Sequence, residues 1–257
     1  MALDIFHLSY KEPYSDKTWQ SLVDKFPYAR RVQGVKGIFE AHKRCAELAY
    51  TKSFYVVDAD ADLEDDFNFS FKPSKWDEHC VHVWRCRNPI NDLVYGYGGV
   101  KLFPTQALRD AEDWRIDFTT SVANKEGQKG AFKAMPTISN TTAFNTDPFN
   151  TFKSAFRECT KLASKVIDKQ KDHETEKRLD IWCSVGGDRG FGEYAIAGAI
   201  AGREYGKANK NNMEALSKIN DFGWLEQQFN KIQISSRDAR IIRSVSYTHL
   251  TLPTIYS

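Results

Sequence analysis

The chain has 257 residues, 41% of them hydrophobic and 13% aromatic, which is typical of a globular protein with one domain or one domain and a small appendage. Its net charge of +2 excludes the overall basic field that marks many nucleic-acid-binding proteins, so any such contact has to come from a local patch. No apolar run reaches the length of a membrane span and the first residues lack a secretory signal, so we expect a cytosolic protein.

Strand and helix patterns alternate over the first part of the chain. Apolar and β-branched runs predict strands at 4–9, at 29–32 and from residue 53 to the acids that follow it. Helical spacing predicts helices at 18–26, with Asp16 as the expected cap, and at 38–50. This order predicts the parallel, doubly wound start of an α/β fold.

Later patterns divide the chain in two. Strands are expected at 82–85 and 93–103, around a turn that Pro89 shapes by holding Asn88 extended. Beyond them, helices are predicted at 149–167, 175–185, 191–205, 213–219 and 224–232. The sequence therefore predicts an α/β domain over 1–147 and a mostly helical subdomain over 148–232. Residues 245–257 resemble a translated sequencing-library adaptor and are expected to be non-native.

The cysteines indicate a reducing compartment, because they are odd in number and widely scattered. They are Cys45, Cys80, Cys86, Cys159 and Cys183. Cys80, His82 and Cys86 would share one face of a strand, but their spacing matches no common zinc pattern. We therefore expect core cysteines rather than a zinc site.

Acidic residues follow the third predicted strand at every second position. Asp58, Asp60 and Asp62 come directly after a buried apolar run, at the strand end where open α/β sheets bind ligands. Carboxylates at this spacing can share a hard divalent cation that also binds phosphate groups, which predicts a ligand such as a nucleotide sugar. A calcium loop of the EF-hand type would need glycine and glutamate where this chain has Leu63 and Phe69. A solvated acidic turn is the remaining alternative.

Two glycine-rich stretches are further candidates. Residues 95–102 alternate tyrosine and glycine before an apolar strand, which suits either sugar or base stacking or a simple hairpin. This stretch lacks the ending of a nucleotide P-loop. In the second stretch, at 186–193, Asp188 is either a helix cap or, like Glu193, a general base. Asp92 is an equal candidate for the base by its position beside the first stretch.

Five stretches of the sequence resemble a family of glycosyltransferase-like proteins of tailed bacteriophages. They are residues 35–38 with 41–42, 54–61, 87–102, 156–159 and 219–222. The resemblance implies a GT-A (Rossmann-like) fold, with residues 1–147 as the nucleotide-sugar-binding domain. It also implies a nucleotide-sugar donor such as a UDP-sugar, and a Mn²⁺ or Mg²⁺ ion. Some phage enzymes of this kind decorate 5-hydroxymethylcytosine in the phage's own DNA, including by arabinosylation.

The resemblance also implies roles for individual residues. Asp60 would bind the metal directly, while Asp58 would hold the metal or the donor ribose, and Asp188 or Asp92 would be the base of an inverting enzyme. The donor would lie against Ser9, Tyr10, Lys36, Gly37, His42 and Asp58. The acceptor would lie against Arg87, Asn91, Tyr95 and Tyr97.

The leading hypothesis is a metal-dependent glycosyltransferase that modifies hydroxymethylated pyrimidines in phage DNA, in the cytoplasm of the infected bacterial host. A second hypothesis keeps the sugar donor and replaces DNA with a protein or polysaccharide acceptor. A third is a non-catalytic sugar- or DNA-binding module that retains the fold.

Overall fold

A computed structural model describes residues 2–96, 98–111, 118–123, 132–167 and 170–232. The chain divides into two compact units, Met1–Ala143 and Phe144–Ser257. Tyr97 and the predicted adaptor-derived tail at 245–257 lie outside the described residues.

The described part of the first unit is built on one eight-stranded sheet. Its strands are β1 (Asp4–Ser9), β2 (Arg30–Gln33), β3 (Ser53–Asp58), β4 (Ala61–Leu63), β5 (Val81–Arg87), β6 (Val94–Tyr95), β7 (Val100–Pro104) and β8 (Phe132–Thr142). The strand order is β2-β1-β3-β7-β5-β8-β4, and β6 pairs with β5 off this path. β2, β1 and β3 run parallel, and β7 pairs antiparallel with β3.

The described helices of this unit connect the strands. They are α1 (Ser15–Lys25), α2 (Ile38–Leu48), α3 (Thr105–Arg109) and α4 (Phe118–Ala123). The predicted cap of α1 is wrong, because Asp16 lies inside the first turn and pairs with Arg31 over 2.7 Å. The residue that precedes the helix is Tyr14, whose side chain makes no capping hydrogen bond.

The sheet is buried on both faces, which explains why β3 is apolar without interruption. Phe54 and Val56 point into a cluster with Phe6 and Phe103, whereas Tyr55 lies on the other face in a cluster with Trp84. In that second cluster, Phe67 and Phe69, from the loop after β4, also contact Tyr55 or Trp84. β3 is thus an interior strand of the sheet, buried on both faces, and its carboxyl end lies where the parallel strands end.

Two strands were not predicted. Only two residues separate β4 from the end of β3, yet β4 lies at the far end of the strand order, where it pairs antiparallel with β8. The sheet therefore curls back toward the end of β3. β8 contains Pro136 and is polar, and its pairing with β5 jumps from Trp84–Met135 to Arg85–Ile138, a bulge that accommodates the proline. The predicted strand at 93–103 is in fact broken into β6 and β7.

The described part of the second unit is helical, as predicted. Its helices are α5 (Pro148–Ser164), α6 (Asp172–Trp182), α7 (Gly192–Ala208), α8 (Met213–Ser217) with a 3-10 turn at Lys218–Asn220, and α9 (Phe222–Lys231). α5 and α7 pack so closely that a Cβ atom on Gly198 or Gly202 would overlap the backbone oxygen of Phe152 or Phe156. At Gly206 a Cβ atom would come within 2.5 Å of the Thr160 backbone oxygen. Glycine on α7 therefore sets the distance between the two helices.

The parallel start of the sheet and the helical second unit confirm the predicted α/β class, with a Rossmann-like start and a mostly helical second part. All five cysteines are thiols, and four of them are buried, as expected for core residues. Within the described residues, no helix has both the length and the apolar character that crossing a membrane requires.

Candidate functional site at the end of the third strand

Asp58 and Asp60, called the acidic edge below, lie where the parallel strands end. Asp58 is the last residue of β3, and Asp60 lies in the two-residue connection to β4. The backbone oxygen of Asp60 accepts a hydrogen bond from the Ala143 amide over 2.6 Å, which fastens this connection to the residue after β8. Asp62 belongs to β4 instead, where it is exposed and pairs in register with Thr141.

A buried lysine compensates the charge of Asp58. Lys101 of β7 lies opposite Val56 in the sheet, so its side chain reaches diagonally to Asp58, and its Nζ donates to Oδ2 over 2.6 Å. The Lys101 side chain is 8% exposed and the Asp58 side chain 32%. Burial raises the pKa of Asp58, and the Lys101 ammonium partly offsets that rise.

Sequence reasoning missed the role of Lys101. The available signal was a single lysine inside the apolar strand 100–104, because lysine is rarely buried without a partner.

More negative than positive side chains act on Asp60. Burial, and next the negative charge of Asp58, raise the pKa of Asp60 to about 6. Glu12 raises it further, and this residue also acts on Asp58. Glu12 lies in the loop after β1, where its Oε2 accepts from the Tyr10 amide over 2.7 Å. The acidic edge is therefore short of positive charge despite Lys101.

Glycines of the loop before β7 make room for these contacts. Gly98 has φ +85°, and a Cβ atom there would come within 2.9 Å of the Lys101 Cε. A Cβ atom on Gly99 would overlap the buried side-chain amide of Asn140 on β8. The Gly99 oxygen accepts from the Asp58 amide over 2.8 Å. These glycines let β7, β8 and the end of β3 approach closely.

A buried hydrogen-bond chain holds the residue between the two acids. Thr18 of α1 donates its hydroxyl to the Ala59 backbone oxygen over 2.7 Å. Because that proton is used, His7 Nε2 is the donor in its 3.0 Å bond to the same hydroxyl. Burial, followed by the charge of Arg31, lowers the pKa of His7 to about 4, so the ring is neutral near pH 7.

Most residues predicted to bind the donor lie at the carboxyl ends of β1 and β2. Ser9 ends β1, and its oxygens are already engaged, because the backbone oxygen accepts from Gly34 and the hydroxyl from Arg31. Lys36 and Gly37 are exposed before α2, and Gly37 has φ +97° with open space around it. Tyr10, in the loop after β1, is 40% exposed.

His42, also predicted at the donor site, is placed in the core. It is 1% exposed, its ring lies 4.4 Å from that of Phe118 and 5.3 Å from that of Phe103, and its Nδ1 donates to Ile38 over 2.7 Å. Burial lowers its pKa to about 3. This burial disfavours a contact with the donor.

The residues predicted to bind the acceptor follow β5. Arg87 ends that strand, half-buried, with its Nε 4.0 Å from Glu64. Asn91 is buried and orders the turn, accepting from the Leu93 amide over 3.2 Å. Tyr95 is buried on β6. The prediction for Tyr97 lies outside the described residues.

The two predicted general bases, Asp92 and Asp188, belong to different units of the chain. Asp92 is exposed in the turn between β5 and β6, with φ +57°. Asp188 is exposed in the second unit, between α6 and α7. It does not cap α7, because the residue before that helix is Phe191.

The acidic edge fits a cation that retains water. No group of three His, Cys, Asp or Glu side chains placed to hold a metal occurs in the described residues. Two carboxylates with excess negative charge nevertheless suit Mg²⁺ or Mn²⁺, since Mg²⁺ is commonly bound by one or two carboxylates together with water and substrate phosphates. Asp58 and Asp60 are the residues that would hold it.

No protein-family model matches the chain, and no curated protein matches it significantly. Among solved structures, a mannosyltransferase from Pyrobaculum calidifontis, in complex with GDP-Man and Mn²⁺, is 10% identical at a TM-score of 0.43, over 96% of this chain and 88% of that one. HddC from Yersinia pseudotuberculosis is 19% identical at a TM-score of 0.30, over 55% of this chain and 70% of that one.

Proposed function

We propose that this chain is a metal-dependent glycosyltransferase that moves a sugar from a nucleotide-sugar donor to a hydroxyl acceptor. The observation that carries the proposal is the carboxylate pair Asp58 and Asp60 at the end of the parallel strands, where burial and the neighbouring charge of Asp58 raise the pKa of Asp60. The sequence resemblance of residues 54–61 and 87–102 to phage glycosyltransferase-like proteins supports the same class.

In this proposal the acidic edge and the loops beside it bind the donor. Asp58 and Asp60 would hold a Mn²⁺ or Mg²⁺ ion, which would supply positive charge for the departing diphosphate. Lys36, exposed before α2, adds charge for the phosphates, and the half-exposed ring of Tyr10 offers a flat surface to the base or sugar.

The acceptor that we propose is 5-hydroxymethylcytosine in DNA, and the resemblance to phage proteins is what supports it. Its hydroxyl oxygen forms the new bond to the anomeric carbon as the bond to the diphosphate breaks. In an inverting reaction, Asp92, which belongs to the same unit as the acidic edge, takes the hydroxyl proton. Arg87 and Tyr95 are the acceptor contacts of this proposal.

A nucleoside assay tests both the reaction and the acceptor. The protein is incubated with MnCl₂, a panel of nucleotide sugars, and DNA with or without 5-hydroxymethylcytosine, and the DNA is then digested for mass analysis. We expect added hexose or pentose mass on the hydroxymethylated nucleoside alone. Asp60→Asn is expected to abolish this product, and Asp62→Asn, which removes an exposed carboxylate two residues away, is expected to retain it.

The other hypotheses give different results. Donor hydrolysis without labelled DNA would favour a protein or polysaccharide acceptor. Neither hydrolysis nor transfer with any donor would overturn the glycosyltransferase proposal and favour a binding module.

A further inference from the structure

Lys101 is the most deeply buried lysine or arginine in the described residues, at 7% exposure. Gly98 leaves room for this side chain, since a Cβ atom there would come within 2.9 Å of the Lys101 Cε. The Lys101 ammonium lies 2.6 Å from Oδ2 of the Asp58 carboxylate.

This contact occupies the carboxylate that a cation would need. A carboxylate offers a limited number of lone pairs, and an ammonium at hydrogen-bond distance both uses one of them and repels a second positive charge. Within the described residues no ion pair involves Asp60, and the charge of Lys101 acts on it together with the opposing charges of Asp58 and Glu12. The two acids of the edge are thus unequal, because Asp58 accepts a hydrogen bond from the Lys101 ammonium and Asp60 does not.

We propose that Lys101 is a built-in counter-ion that competes with the divalent cation for Asp58, so that the acidic edge binds a free cation weakly. The inference rests on the proposed function, because it concerns the same cation. Weak binding of the free ion would make retention of the cation depend on the additional oxygens of the donor diphosphate. Lys101 is accordingly a positioning residue, which acts through Asp58.

Cation affinity, measured without any donor, tests this inference. Binding of MnCl₂ is followed by electron paramagnetic resonance of the free ion, with folding checked by thermal unfolding. Lys101→Met and Lys101→Gln both remove the charge, and the glutamine retains a hydrogen-bond donor for Asp58. We expect about tenfold tighter Mn²⁺ binding in both variants, because a unit positive charge beside a ligand is removed.

Two controls separate this effect from general electrostatics. Lys101→Arg keeps the charge and is expected to bind Mn²⁺ as the wild type does. Lys52→Met removes an exposed lysine of the same unit, just before β3 begins at the opposite end from Asp58, and is expected to leave affinity unchanged. Unchanged or weaker binding in folded Lys101→Met and Lys101→Gln would overturn the inference and leave the proposed function intact.

A measurement on the wild type covers the case in which the neutral variants do not fold. In protein labelled with ¹⁵N-lysine, the Lys101 ammonium signal is expected to shift when MgCl₂ is added, as Asp58 is shared with the ion. A Lys101 signal that is unchanged at saturating Mg²⁺ would overturn the inference. Absence of Mn²⁺ binding to the wild type and to both neutral variants, with or without a nucleoside diphosphate, would overturn both the inference and the metal-dependent function.

Discussion

The Lys101 side chain packs against Gly98, where a Cβ atom would come within 2.9 Å of the Lys101 Cε. Gly98 also adopts φ +85°, a backbone conformation that costs other residues about 1 kcal/mol or more. We expect Gly98→Ala to lower the free energy of unfolding by about 2–3 kcal/mol, because it adds crowding of Lys101 to the backbone strain. Urea unfolding at neutral pH measures this loss.

Gly34→Ala is the matched control. Gly34 has φ +77°, similar to that of Gly98, but a Cβ atom there would meet no atom within 4 Å. Its substitution should therefore cost only the backbone strain, about 1 kcal/mol. Equal losses in the two variants would show that Lys101 moves aside freely.

The sequence predicts those parts of the fold that depend on neighbouring residues. β1 to β3, their connecting helices and the helices of the second unit follow from apolar periodicity, and the structure confirms them with shifts of a few residues at their ends. β8 could not be predicted, because 132–142 contains Pro136 and polar residues in place of an alternating pattern. Its strand conformation depends on pairing with β5, which is distant in sequence.

The candidate site, like the fold, has one part that local sequence predicts and one part that it does not. Asp58 and Asp60 follow from a local pattern of an apolar run ending in acids. The bond from Lys101 to Asp58 joins residues 43 positions apart and depends on the register that sets Lys101 opposite Val56. The bond from Thr18 to Ala59 spans 41 positions. Such contacts require the tertiary structure, so no local pattern indicates them.

Thr18 is expected to stabilise the connection between the two acids. Thr18→Val removes the hydroxyl that donates to Ala59 and accepts from His7, which leaves two buried polar groups without a partner. We expect a loss of about 2 kcal/mol in the free energy of unfolding, measured with urea. Thr18→Ser keeps the hydroxyl and should lose less than half as much; an equal loss would assign the effect to the methyl group.

Close packing of α5 and α7 predicts strong sensitivity at Gly202. A Cβ atom there would overlap the Phe156 backbone oxygen, which cannot move without moving the whole of α5. We expect Gly202→Ala to destabilise the protein by about 3 kcal/mol, although alanine favours a helix more than glycine does. Thermal and urea unfolding measure the change.

Glu204→Ala introduces the same residue at an exposed position of the same helix. Its effect should stay within about 0.5 kcal/mol. A stabilising effect of Gly202→Ala would mean that helix propensity outweighs packing between α5 and α7.

Asp60→Asn should make the protein more stable above pH 6 when no metal is added. The folded state raises the pKa of Asp60 from 3.8 to about 6, so it binds the proton more tightly than the unfolded chain does. Stability contributed by this group is therefore present at low pH and is lost as the pH rises through about 6. Asparagine avoids that loss, so we expect its Tm to exceed that of the wild type by on the order of 2 °C at pH 8, with the difference vanishing near pH 4.

The same variant should lose the response to metal. Saturating MnCl₂ is expected to raise the Tm of the wild type, because an ion that binds only the folded state stabilises it, and to leave Asp60→Asn unchanged. Asp62→Asn removes an exposed acid with the same change in net charge, so it should show neither the gain at pH 8 nor the loss of the metal response. If Asp62→Asn matched Asp60→Asn in both measurements, general charge would explain the effects, and Asp60 would have no special position at the end of β3.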